Sequence, residues 1–178
     1  MKELSDEEID KLTEDFVIGY FKSVGPREWH LSASDWNYDS GREALRWIIN
    51  NPETEKATAL MIYWMSAPAW QKQFADRDDA VAKNSWYAGS YDFIEEIENN
   101  YTSGFYTRET IGYDPANDDE GYDWTSDYDD ITRLREIPAI MYEKIEGEQL
   151  ARPEDYEDGL PVPVYEKLIE LYEQYGIL

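Results

Sequence analysis

Residues 57–65, "ATALMIYWM", constrain this chain more than any other run: after Lys56 the stretch carries no charge, and its polar groups are the hydroxyls of Thr58 and Tyr63. A helix that is apolar on every side has no face to offer water and must be surrounded by other elements. The run therefore predicts the central helix of a bundle. Asn51 is placed to cap it, Pro52 to take its first position, and Glu53 and Glu55 to sit in its first turn.

The flanking sequence supplies helices to surround it. "SDEE" at residues 5–8 sets Ser5 at an N-cap with Glu8 completing a capping box. Ile9, Leu12, Phe16 and Tyr20 then recur on one face until Gly25-Pro26 stops the helix. A short helix holding Trp29 and Ala33 follows. The next runs over 40–50, with Leu45, Ile48 and Ile49 inward and Arg42 and Arg46 outward. Beyond the central helix, Pro68 opens a short helix with Trp70 and Phe74. "DRDD" at 76–79 reads as a charged turn, and a helix over 85–99 gathers Tyr87, Tyr91 and Ile94. In "SGFYTRETIGY" (103–113), Phe105, Thr107, Ile111 and Tyr113 alternate in phase, as in a short strand pair. Helical spacing returns over 138–146, closed by Gly147. It returns again over 163–175, where Val164, Leu168, Leu171 and Tyr175 face inward and Gly176 lies past the end. There is no repeat of fixed period and no Pro/Ser-rich linker. Residues 1–178 thus predict a mainly α, single-domain bundle of about six to seven helices, with a short strand pair near 103–113.

"DWNYDSG" (35–41) spaces oxygen-bearing side chains like the start of a calcium loop. Counted from Asp35, however, position 6 is Ser40, the glycine falls one late, and position 12, which should be a chelating acid, is Arg46. A turn between helices accounts for the same residues: Asp and Asn bond nearby backbone, and Asp39 is placed to cap the following helix. No metal site is expected there.

The same turn opens a longer pattern, "WHLSASDWNYDSGREALRWIINNPETEKATALMIYW": an Asn/Trp turn, an amphipathic helix ending in Asn-Pro, then "ATAL" and an aromatic helix. Over roughly residues 26–75 this resembles the bacterial DUF4274 family, whose name records no assigned function. The resemblance rests on capping and core residues and implies kinship without supplying site residues.

Composition narrows the function. The net charge of −24 repels nucleic acid and anionic membrane and favours encounter with basic partners. An aromatic content of 15%, with seven Trp and fifteen Tyr, argues for a packed core despite that charge. Without cysteine there is neither a disulfide nor a thiolate metal site. "MKELSDEEIDKLTEDF" lacks the apolar centre of a signal peptide, so a cytoplasmic, bacterial protein is expected. His30 is the one histidine, expected at the surface or half-buried. No phosphate loop or hydrolase motif points to a cofactor or a reaction.

One region carries a directed message. Residues 114–130, "DPANDDEGYDWTSDYDD", hold no Lys or Arg and interleave acids with rings. Asp118, Asp119, Glu120, Tyr122, Asp123, Trp124, Asp127, Tyr128, Asp129 and Asp130 form the candidate partner-binding set. Carboxylates pair with arginine, while rings bury area and stack on guanidinium planes. Competing roles for the segment are a solvated loop whose rings tuck into the core, and calcium capture. The expected function is an acidic protein-binding module, resembling in size and charge the immunity proteins that occlude basic toxin domains. Two other readings stay open at this level: a hydrolase using two of the forty Asp and Glu, and a general interaction or regulatory protein with no toxin partner.

Overall fold

The computed structural model describes residues 4–177. In chain order the elements are α1 (Asp6–Ser23), α2 (Pro26–Ser34), α3 (Glu43–Ile49), α4 (Lys56–Met65), α5 (Pro68–Gln71), α6 (Arg77–Lys83) and α7 (Tyr87–Thr102). After two 3-10 turns (Trp124–Ser126 and Ala139–Tyr142) come β1 (Tyr156–Glu157), β2 (Leu160–Pro161) and α8 (Val162–Tyr175). Among the described residues the fold is mainly α, with eight α-helices and one two-stranded antiparallel sheet. The chain divides into two compact units, one of residues up to 48 and from 152 onward, the other of residues 49–151.

In the first unit, α1 starts as its sequence dictates. Ser5 accepts from the Glu8 N–H at 3.3 Å, and Glu8 accepts from the Ser5 N–H at 2.9 Å. Buried Phe21 and Trp29 meet half-buried Trp47: the Trp29 indole donates to the Phe21 carbonyl at 2.8 Å, and Trp47 packs edge-on against Trp29 at 5.2 Å. Residues 35–41 form a turn, in which the Asp39 N–H donates to Asn37 Oδ1 at 3.1 Å and the Ser40 N–H to the Asn37 carbonyl at 2.9 Å. Because Asn37 closes the turn on itself, α3 begins at Glu43, later than spacing predicted. The Asp35 carboxylate is spent on the far end of the sequence. It accepts from Arg152 Nε at 2.9 Å and from the Gly159 N–H at 3.3 Å. His30 is buried, where a surface or half-buried position was expected.

The strand pair forms at 156–161, whereas 103–113 contributes isolated bridges. The Asp158-Gly159 turn joining β1 to β2 has φ of 48° and 78°, the pair of left-handed residues that a tight hairpin requires. At Gly159 a Cβ would come within 2.6 Å of the Trp36 ring, so glycine is needed there on two grounds. Gly176, at φ 71°, ends α8. Leu168 is buried as expected, while Tyr175, expected inward, is exposed.

In the second unit α7 packs against α4, α5 and α6. Residues 57–64 of α4 are all buried, which is the outcome that the all-round apolar run demands. Its start differs from the prediction: Asn51 closes a turn by accepting from the Glu53 N–H at 3.0 Å, and the helix begins at Lys56. The reason lies elsewhere in the chain. Residue 55 pairs with Arg108 as a parallel bridge, and the Lys56 N–H donates to the Arg108 carbonyl at 2.9 Å. "DRDD" is not a turn but the start of α6. Asp76 is its N-cap, accepting from the Asp79 N–H at 2.9 Å, and Ala80 is buried with Phe74 and Tyr91. The helix expected over 138–146 shrinks to one 3-10 turn, after which Ile145 and Glu148 bridge to Tyr113 and Ile111. Gly147 is therefore no helix stop. A Cβ there would lie 2.6 Å from the Gly112 nitrogen, so this glycine lets two backbones touch.

Glu55 is the buried carboxylate where the start of α4 meets residues 108–111. It accepts from the Thr110 N–H at 2.8 Å, the Thr110 hydroxyl at 2.6 Å and the Ile111 N–H at 3.4 Å, with Arg108 Nε at 3.4 Å. Burial works to raise its pKa. The Thr110, Ile111 and Arg108 hydrogen bonds together outweigh burial and hold it below the usual carboxylate range. A depressed folded pKa means that the stabilisation is present above the unfolded value of about 4.3 and is lost as pH falls through the folded value. Glu55→Gln should lower the melting temperature at neutral pH and flatten its decline towards acid. Melting curves of both proteins taken from pH 7 downward check this; parallel curves would remove Glu55 from the acid response.

Candidate protein-binding surface

The acidic segment is an ordered loop, and Asp118 organises it. Its Oδ1 accepts from the Glu120 N–H at 3.0 Å and the Tyr122 N–H at 2.7 Å, and its Oδ2 accepts from the Trp124 indole at 2.8 Å. An Asp that bonds backbone two residues on makes an Asx turn, and here the same carboxylate also fixes a ring. Asp123 starts the 3-10 turn by accepting from the Thr125 N–H at 3.0 Å and the Thr125 hydroxyl at 2.6 Å. The Trp124 N–H closes the loop on the Pro115 carbonyl at 3.0 Å. Asp118, Asp123 and half-buried Trp124 therefore face the loop's own interior bonds.

The remaining members of the expected set point to solvent or to one another. Tyr122 is 47% exposed, stacks edge-on against Trp124 at 4.7 Å and donates to Asp127 at 2.5 Å. That bond and the Asp127 charge push the Tyr122 pKa up, keeping the phenol a hydrogen-bond donor. Asp119, Glu120, Asp129 and Asp130 are exposed. Asp129 pairs with Arg133 at 3.0 Å, a cation just beyond the stretch that lacks them. Tyr128 is 42% exposed with φ 59°, a left-handed backbone that a bulky residue adopts only under constraint from its surroundings. Its ring packs on Trp70 at 5.7 Å. Trp70 in turn meets Tyr87 at 6.4 Å.

The loop thus continues into an aromatic row, Tyr128–Trp70–Tyr87, whose last two members sequence reasoning assigned to helices. Nothing in the local pattern marks them, since a loop residue joins them to the segment from across the chain. Trp86, beside Tyr87, is 85% exposed, and Leu134 is 61% exposed. Among the described residues, six of the eight exposed large apolar side chains (Val81, Trp86, Tyr122, Tyr128, Leu134 and Tyr142) belong to this unit. Large rings left in water on this unit are exposed apolar area of the kind that protein interfaces bury.

A second polar concentration in this unit is turned inward. Lys72, with 2% of its side chain exposed, bonds Glu98 at 2.7 Å and Glu95 at 3.1 Å, and Tyr63 donates to Glu98. Arg135 pairs with Glu95, donates to the Phe74 carbonyl at 2.8 Å and the Gln71 carbonyl at 2.9 Å, and lies 4.4 Å over the Tyr91 ring. Burial works to raise the pKa of Glu95, but the Arg135 and Lys72 contacts bring it below the usual range. Burial, followed by the Glu98 charge, pushes Tyr63 far up. Two cations and two carboxylates satisfy one another here, and the cluster ties α4, α5 and α7 to the chain at 135. Among the described residues no cluster of three or more His, Cys, Asp or Glu is arranged to hold a metal ion. Nor is any helix long and apolar enough to cross a membrane.

Residues 25–102 match the family model of a domain of unknown function, DUF4274. No curated protein and no solved structure matches the chain. The DUF4274 match runs from Gly25, the N-cap of α2, to Thr102, the last residue of α7. It extends well past the 26–75 region of resemblance and includes α4 with its buried run, and Trp70 and Tyr87. The acidic loop, the hairpin, α1 and α8 lie outside it.

Proposed function

We propose that this chain is an acidic protein-binding module of the immunity type, which occludes a basic toxin domain through the 119–130 face and the Tyr128–Trp70–Tyr87 row. One observation carries the reading: Asp118 and Asp123 use their carboxylates to shape the loop, so that Tyr122 and Tyr128 stand exposed among Asp119, Glu120 and Asp130. Ordered rings need little further ordering on binding, and surrounding acids steer a cationic surface towards them. A cytoplasmic location, where such an inhibitor would protect its own cell, belongs to the same proposal.

The two kinds of residue should act on different rates. With a partner captured from the source cells, the triple change Asp119→Asn, Glu120→Gln, Asp130→Asn should slow association at low salt, with the loss shrinking as salt rises. Tyr128→Ala should instead speed dissociation about tenfold or more, the effect of truncating an interface ring. A stoichiometric amount of the parent chain should also abolish the toxic activity of that partner. Association and dissociation rates unchanged in both variants would remove this surface from the function.

A further inference from the structure

The first unit holds a cleft of about 380 Å³ alongside α1, with Val17, Trp36 and Ala44 on its walls and Asp10 and Glu14 on its rim. The wall is rigid: Phe21 packs on Trp36 with ring centres 6.4 Å apart, and the Gly159 backbone presses against the indole. On the far side the hydroxyls of Thr13 and Tyr172 bond each other at 2.6 Å. They separate this cleft from a smaller hollow of about 190 Å³ that shares Val17 and Trp36.

Glu14 is the telling residue. It is half-buried and makes no hydrogen bond or ion pair among the described residues. The cation one turn before it, Lys11, is paired with Asp15 at 3.1 Å. Burial and then the Glu43 charge push the Glu14 pKa up; Asp10 and Asp15 add to this, with Lys11 opposing. A carboxylate held among like charges at the mouth of an apolar cleft lacks its counter-charge. Apolar walls below an acidic rim complement a long aliphatic stem that ends in a cation.

We propose that this cleft takes up an arginine or lysine side chain of a basic polypeptide, with the stem against Val17, Trp36 and Ala44 and the charged head at Asp10 and Glu14. The charge of −24 on the chain favours such an occupant over any anionic one. The proposal rests on the reading of a basic partner only for what the polypeptide is; the cleft itself can be probed without it.

The probe is a blocked Ala-Arg-Ala tripeptide, compared with its counterpart in which neutral citrulline replaces arginine, titrated into the isotopically labelled full chain. The Trp36 indole N–H, buried and without an acceptor among the described residues, is the reporter, together with the Gly41 amide on the cleft edge. The arginine peptide should shift both resonances saturably, and the citrulline peptide should bind at least about tenfold more weakly, as expected when a charge-assisted contact is lost. Glu14→Gln should weaken the arginine peptide about tenfold as well. Its melting temperature should not fall, because the burial and repulsion that the substitution relieves outweigh the Lys11 attraction it gives up. Equal shifts by both peptides, silence at Trp36, or unchanged affinity in a folded Glu14→Gln protein would each overturn the proposal. Shifts confined to residues 119–130 would overturn the cleft and leave the loop reading intact. Saturable, charge-dependent shifts at Trp36, alongside partner kinetics indifferent to Tyr128→Ala, would support the cleft and sink the loop.

Discussion

Replacing Lys72 by Met is expected to destabilise the protein by about 3–5 kcal/mol, because it strands a buried carboxylate without its cation. Lys72 bonds both Glu98 and Glu95 with 2% of its side chain exposed. Glu95 keeps Arg135 when the lysine goes, but Glu98 is left with the Tyr63 hydroxyl. A buried ion pair gains little over an apolar pair of the same shape, whereas half of such a pair is strongly unfavourable. The double variant Lys72→Met, Glu98→Gln should therefore recover much of the loss. Urea unfolding of the parent, both single variants and the double variant gives the coupling directly. Losses that simply add would mean the two side chains do not depend on each other, against the geometry described.

Leu60→Ala should lower stability by about 2–5 kcal/mol, the range for deleting a fully buried leucine side chain. Leu60 is wholly inaccessible, as are Ala59, Ile62 and Tyr63 around it on α4. Trp64, donating its indole N–H to the Met141 carbonyl at 2.7 Å, locks the same helix and limits collapse into the vacated space. A cavity that cannot collapse puts the loss in the upper part of that range. The binding kinetics of the protein that remains folded should be unchanged, since no exposed ring is touched. A Leu60→Ala protein that unfolds at the parent urea midpoint would show that α4 is not central to the packing.

The surface tested by the two binding experiments was legible only in outline. Acids interleaved with rings over 114–130 single out a segment that folds as an ordered loop, and Tyr122 and Tyr128 in it are exposed. The division of labour was not legible. Nothing in "DPANDDEGYDWTSDYDD" distinguishes Asp118, which bonds three N–H groups inside the loop, from exposed Asp119 beside it. An Asp reads the same whether it turns inward or outward, and the choice belongs to the backbone path.

What the sequence determined by itself lies within about four residues of the side chain that signals it, the reach of a helical turn. The Ser5–Glu8 capping box, the Asn37 turn, Gly176 at the end of α8 and the burial of residues 57–64 are all of this kind. The hairpin belongs with them: Asp158-Gly159 is the dipeptide that the turn requires, although the alternation at 103–113 was the more conspicuous strand signal. Tertiary structure alone decided the rest. Glu55 meets Thr110, Lys72 meets Glu98 and accepts from the chain at 134–135, Asp35 meets Arg152, and Gly112 lies against Gly147. Each pair is far apart in sequence and has no periodicity to announce it. These contacts moved the start of α4 from Pro52 to Lys56 and left 143–148 extended, because a backbone group with a distant partner no longer needs the helix to satisfy it.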